Sequence, residues 1–182
     1  MGFFGPNGRG VYEDQGLDVD FIVGTFSKSL GGVGGFCVGR HSELELLRFV
    51  SRPYIFTASS SPPSIASTRE ALRQVLDGHG LRAHLWRHAK RLYAEGKRLG
   101  FRMGTDTPAP IAALVFDDRT RARALWQALL DTGVYTNLMI PPATPSGMSL
   151  VRISLSAAHS DEDVTHIVSA LEQARRTVFG LG

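Results

Sequence analysis

The stretch Gly24-Thr25-Phe26-Ser27-Lys28-Ser29-Leu30-Gly31-Gly32-Val33-Gly34-Gly35 decides how this chain is read. It follows an apolar run, Val19 to Val23, broken only by Asp20, which predicts a buried strand. Where that strand should end, hydroxyl residues flank a lysine, and glycines occupy four of the five positions from 31 to 35. In open α/β sheets, ligands bind outside the carboxyl ends of the strands. A lysine placed there can condense with an aldehyde to form a Schiff base once its amine is unprotonated. An ordinary lysine titrates at about 10.4, and partial burial or a nearby cation lowers that value. The hydroxyls of Thr25 and Ser27 can donate to a phosphate or a phenolate oxygen, and the glycines let backbone approach a flat ring. These residue types suit a covalently held planar cofactor; the plain alternative is a solvated lysine before a glycine-rich turn. The two standard phosphate-loop patterns are absent. The lysine precedes the glycines, unlike G-x-x-x-x-G-K-[ST], and no G-x-G-x-x-G occurs.

Composition bounds the remaining possibilities. A chain of 182 residues with 43% hydrophobic and 20% charged residues can bury a sizeable core and is ordinary for a globular protein. No apolar run reaches the length of a membrane-spanning helix. The segment Met1 to Gly10 lacks the basic and apolar regions of a signal peptide. A single cysteine, Cys37, excludes an internal disulfide, fits a reducing, cytoplasmic compartment, and reads as a small buried residue within Gly35 to Val38. A net charge of +3 gives little support to nucleic-acid binding.

Three zones follow along the chain. Residues 1–60 carry the lysine motif on a strand–loop–strand arrangement, with a second strand at 36–38 and helical spacing at 41–50. Residues 61–108 form a connecting helical segment. Pro62-Pro63 opens a helix over 64–76, Gly78 and Gly80 interrupt it, and helix resumes over 81–99. Residues 109–182 read as a small α+β unit: a strand at 111–116, a helix at 120–131, a short strand at 134–137, a half-exposed antiparallel strand at 150–155, and a last helix ending near 178. Ser160 and Asp163 suit a capping box for that helix. The basic segment Arg82 to Arg98 carries a core stripe at Leu85, Ala89, Leu92 and Leu99, so its charges form the solvated face of an amphipathic helix. His84 and His88 are four residues apart but lack a third ligand, so no metal site is expected.

The run GTFSKSLGGVGGF resembles the lysine segment of the α-oxoamine synthases. These are fold-type I enzymes that use pyridoxal phosphate to join an amino acid to an acyl thioester with decarboxylation. MGFFGPNGRGVYEDQG, RPYIFTASSSPPS, PPATPSG and LVRISLSAAH resemble further segments of that family, so the likeness spans nearly the whole chain. The implied fold is α/β: the end of the pyridoxal-phosphate-binding large domain over 1–60, the connecting segment 61–108, and a small α+β C-terminal domain over 109–182. The resemblance makes Lys28 the Schiff-base lysine, which also removes the α-proton of the bound amino acid. It makes Thr25 a phosphate contact, and Thr57 and Ser59 hydroxyls that reach a phosphate across a homodimer interface. It assigns Arg152 to a substrate carboxylate and places Thr144 in the substrate loop. The implied partners are an amino acid, an acyl thioester carried on coenzyme A or a carrier protein, and a second copy of the chain sharing the active site; neither nucleic acid nor a membrane span is implied.

ALWQALLDTGVYTN followed by PPATP points to the branch that condenses serine with a palmitoyl thioester in sphingolipid biosynthesis. Two departures bear on that. That branch carries an arginine before PPATP that helps hold the serine carboxylate, where this chain has Ile140. Arg152 then holds the carboxylate alone, or the amino acid differs. The segment between FTAS and PPS is one residue longer than in relatives, which leaves open which hydroxyl there donates. The alternatives are the 8-amino-7-oxononanoate synthase and 2-amino-3-ketobutyrate ligase types, or a non-catalytic partner subunit. Family members also carry, upstream of the counterpart of Met1, an aspartate for the pyridine nitrogen and a histidine that stacks on the ring. The resemblance therefore implies that this chain is the C-terminal portion of such an enzyme and is catalytically incomplete alone.

Overall fold

A computed structural model describes residues 1–144 and 147–180. The chain divides into two compact units, Met1–Arg82 and Ala83–Gly182, so the segment read as a connector over 61–108 is shared between them.

In the first unit, a glycine-rich coil closed by Gly2 N–H to the Gly8 carbonyl (2.7 Å) leads into α1 (Val11–Asp14). Strand β1 (Phe21–Thr25) pairs antiparallel with β2 (Gly35–Gly39), with Thr25 opposite Gly35. A 3-10 turn (Ser42–Leu46) and two single-turn helices, α2 (Leu47–Val50) and α3 (Arg52–Ile55), precede α4 (Pro62–Asp77). Proline at the first helical positions costs α4 no hydrogen bond, because the N–H groups there have no partner within the helix. The next helix, α5 (His79–Arg98), crosses from this unit into the second.

Several expectations for this unit are corrected. The strand is not buried: Phe21 is 47% and Val23 77% exposed. Among the described residues, strand β1 has one partner strand and only one of its faces is covered, where Ile22, Phe36, Leu72 and Val75 line a common cavity. Cys37 stands opposite Val23 on the uncovered face and is exposed, not buried. The helical spacing at 41–50 is realised as a 3-10 turn followed by one α-helical turn. Gly78 breaks the helical run, whereas Gly80 lies inside α5.

In the second unit, β3 (Ile111–Phe116), β5 (Ser149–Ser154) and β4 (Asn137–Met139) form an antiparallel sheet in the order β3-β5-β4. Helices α6 (Arg119–Asp131) and α7 (Asp161–Phe179) supply its apolar cover. Ala122, Leu125 and Leu129 of α6 are fully buried, as are Val164 and Leu171 of α7 and Val151 of β5. Each buried leucine contributes about 1.5–3 kcal/mol relative to exposure. Leu85, Ala89, Leu92 and Leu99 are buried, as their spacing predicts. The short strand begins at Asn137, not Val134. Val134 is instead buried as core, and the Thr136 carbonyl accepts a hydrogen bond from Trp126 Nε1 (3.1 Å).

The basic helix is more than a solvated face. His88 is fully buried, and its Nε2 donates to Asp161 Oδ1 at 2.8 Å. Asp161 can only accept, so that nitrogen carries the proton. Arg91 donates to Thr165 Oγ1 (2.8 Å), and Arg87 reaches Asp161. His84 Nε2 is spent on the carbonyl of His159 (2.8 Å), and no group of metal-ligating side chains forms among the described residues. The hydrogen bond from His88, then that from Arg87, hold the Asp161 carboxyl below its usual range.

The capping box forms as predicted: Asp163 N–H donates to Ser160 Oγ (3.1 Å), and Ser160 N–H donates to Asp163 Oδ2 (2.8 Å). Ser160→Ala is expected to lower the stability of the chain by about 1 kcal/mol in chemical denaturation. A carboxyl with a depressed pKa in the folded state stabilises above its unfolded value and loses that contribution as pH falls through the folded value. Asp161→Asn should therefore flatten the fall in melting temperature on acidification below about pH 4; an unchanged acid limb would remove Asp161 from that role.

Candidate active site

Lys28 lies in the loop between β1 and β2. The loop is built by backbone bonds: Phe26 N–H to Gly34 O (2.9 Å), Gly32 N–H to Phe26 O (2.8 Å) and Gly31 N–H to Lys28 O (3.1 Å). Gly31 and Gly34 have φ of 60° and 105°, which residues with a Cβ rarely adopt. Two other glycines make room. A Cβ on Gly35 would stand 2.6 Å from the Gly24 carbonyl oxygen, and one on Gly32 would stand 2.6 Å from Thr68 Oγ1. The glycines thus serve close backbone packing within the hairpin as well as any approach to a ligand.

Lys28 is exposed, and its ammonium has no hydrogen-bond or ion-pair partner among the described residues. Thr25 Oγ1 donates to Gly34 O (3.2 Å) and lies 2.8 Å from Ser27 Oγ, which then donates to it. The structure therefore unites two of the hydroxyls seen in the sequence at the end of β1. Thr57 is engaged locally, its hydroxyl donating to the Pro53 carbonyl, and Ser59 is exposed. An uncommitted amine near paired hydroxyls fits an aldehyde that also carries an anionic oxygen-rich group, the amine for the carbon and the hydroxyls for the oxygens.

The second unit carries the other candidate group. Arg152 occupies β5, between the buried Val151 and Ile153, so it projects from the opposite face of the sheet. Its Nη2 donates to Asn137 Oδ1 (3.1 Å), while its Nε–H is buried without an acceptor. A guanidinium with unspent donors suits a planar carboxylate. Thr144 is buried and its hydroxyl donates to the Met148 carbonyl (2.5 Å), which makes it a brace of the loop. Pro145 and Ser146 of the same loop lie outside the described residues. His159 accepts from Ser156 N–H (2.9 Å) at the entrance to α7. Asn137 is the residue that sequence reasoning missed. It lies within the run VYTN, and only the strand register shows that it faces Arg152.

Comparison with known proteins gives the family and the fold. The family described as Aminotransferase class I and II matches residues 6–171, and the chain belongs to that family. The chain is 46% identical over 185 residues to the serine palmitoyltransferase of Sphingomonas paucimobilis, covering 100% of this chain and 44% of that protein. The solved serine palmitoyltransferase of Sphingomonas wittichii superposes with a TM-score of 0.94 at 48% identity, covering 100% of this chain and 46% of that one. A high-resolution structure of SPT with PLP internal aldimine superposes with a TM-score of 0.95 at 46% identity and equal coverage, 100% and 46%. The chain thus spans about half the length of these relatives and shares their mixed helix-and-sheet, fold-type I architecture over that half.

Gly35→Ala is expected to cost about 1–3 kcal/mol in chemical denaturation, because the obstacle is backbone that cannot swing aside. Gly32→Ala should lose less and recover when combined with Thr68→Ala, which removes the obstructing hydroxyl. A Gly35→Ala chain as stable as wild type would refute this account of the hairpin.

Proposed function

We propose that this chain supplies the lysine- and arginine-bearing part of a pyridoxal-phosphate-dependent acyltransferase that condenses an amino acid, serine, with an acyl thioester and releases carbon dioxide. The observation that carries the reading is the uncommitted Lys28 amine on the hairpin whose strand ends in the Thr25–Ser27 hydroxyl pair. Likeness to serine palmitoyltransferases, one of them solved with the cofactor, supports the choice of cofactor and substrates.

Lys28 Nζ would hold the cofactor covalently, and Thr25 Oγ1 and Ser27 Oγ would donate to its phosphate by turning from their present acceptors, the Gly34 carbonyl and Thr25. When bound, pyridoxal phosphate would supply an electron sink for bond cleavage at the amino acid's Cα. The Lys28 amine would serve as the base that takes the proton from the amino acid's Cα. Arg152 binds the amino acid's carboxylate through its guanidinium. Thr57 and Ser59 serve a second copy of the chain in a homodimer, a role their exposed segment, with Phe56 85% exposed, supports. A cytoplasmic setting is part of the reading and accords with an exposed free thiol at Cys37. No helix among the described residues is long and apolar enough to cross a membrane.

Adding pyridoxal phosphate to the purified chain should produce visible absorbance; borohydride should bleach that band by reducing the imine while fixing the cofactor on Lys28, and Lys28→Ala should abolish both. A Lys28→Ala chain that keeps the wild-type absorbance would refute the assignment.

A further inference from the structure

We propose that Asn137 is the positioning residue of the carboxylate site: it fixes the Arg152 guanidinium and presents its own amide N–H beside it. The inference rests on reading Arg152 as the carboxylate-binding group. Asn137 of β4 and Arg152 of β5 are direct cross-strand partners, so both project from the face opposite Val151. Cross-strand partners on one face have their Cβ atoms about 4.5–5.5 Å apart, close enough for a short amide to touch a guanidinium.

The chemistry of the pair sets the orientation of the amide. A guanidinium has donors only, so the atom 3.1 Å from Arg152 Nη2 must be the asparagine oxygen. The Nδ2 amino group then points away from the arginine, and it has no partner among the described residues. The Arg152 Nε–H is also unpaired and buried. On the other side of Arg152 its partner on β3 is Ala113, whose methyl offers no competing acceptor. Two kinds of unspent donor therefore sit side by side on a sheet face: those of a charged fork and those of a neutral amide. A carboxylate has two oxygens to accept them, and the amide adds donors without adding a second cation. Ile140, near the end of the same strand, contributes no donor. The ligand this arrangement takes is the α-carboxylate of a small amino acid.

The test uses the 182-residue chain labelled with 15N-arginine, with the Arg152 Nε–H resonance assigned by its loss in Arg152→Lys. In Asn137→Ala that resonance should shift before any ligand is added, while the backbone amide spectrum stays that of wild type. With pyridoxal phosphate present, the optical titration should show the apparent Kd for L-serine rising about tenfold in Asn137→Ala, the loss of one hydrogen bond to a charged group. It should rise further in Asn137→Asp, whose carboxylate neutralises the arginine. Serinol, which has the amine but no carboxylate, should bind wild type and variants alike. An unmoved Nε–H resonance in Asn137→Ala, or equal weakening of serine and serinol, would overturn the proposal. If wild type gives no optical response to pyridoxal phosphate, it is the cofactor reading that fails, and the resonance arm alone decides the role of Asn137.

Discussion

Alternation along one strand governs the second unit. Val151 and Ile153 are drawn into the core against α6 and α7, and side chains on a strand point to opposite faces in turn. Arg152 has no choice but to stand on the other face. Antiparallel pairing on both flanks then sets what it meets there, Ala113 on one side and Asn137 on the other. The hydrophobic core thus aims a charged group without touching it. A slip of one residue in the register of β5 would bury the guanidinium among leucines, so core packing and the orientation of the site are a single constraint.

The first unit obeys a different constraint, close approach of backbone to backbone. Strands β1 and β2 meet at Thr25 and Gly35 so closely that a side chain at position 35 would strike the opposite carbonyl. Glycine is required there for space, and at positions 31 and 34 for positive φ. The outcome is a tight loop whose hydroxyls bond to each other and to its own backbone, while Lys28 is left uncommitted. A reactive amine is most useful when no carboxylate has claimed it, since an ion pair favours the protonated form.

The elements longest and most periodic in the sequence were the most legible. The strand at 111–116, the helix over 120–131 and the capped last helix lie within a residue of where the pattern puts them, because each pairs a clear apolar stripe or alternation with a local start signal. Readings failed where an environment had to be inferred. The apolar run before Lys28 predicts a buried strand, yet β1 is covered on one face only, and Cys37 is exposed with it. The arginines and histidines of α5 read as solvated, yet His88 is buried and pinned to Asp161, because the N-terminus of α7 arrives there from more than 70 residues away.

By itself the sequence determined the local chemistry: a lysine among hydroxyls and glycines at a strand end, an arginine between two core residues, and caps and breaks that place the helices. These are short-range properties, set by neighbours along the chain. Only the tertiary structure decided which groups are spent and which are free. Thr57 and Thr144 bind carbonyls four residues away, Thr25 joins Ser27, and Asn137 turns its oxygen to Arg152. The Asn137–Arg152 pairing depends on strand register across a 15-residue separation, and register is fixed by burial of a whole face, which no local run of residues encodes.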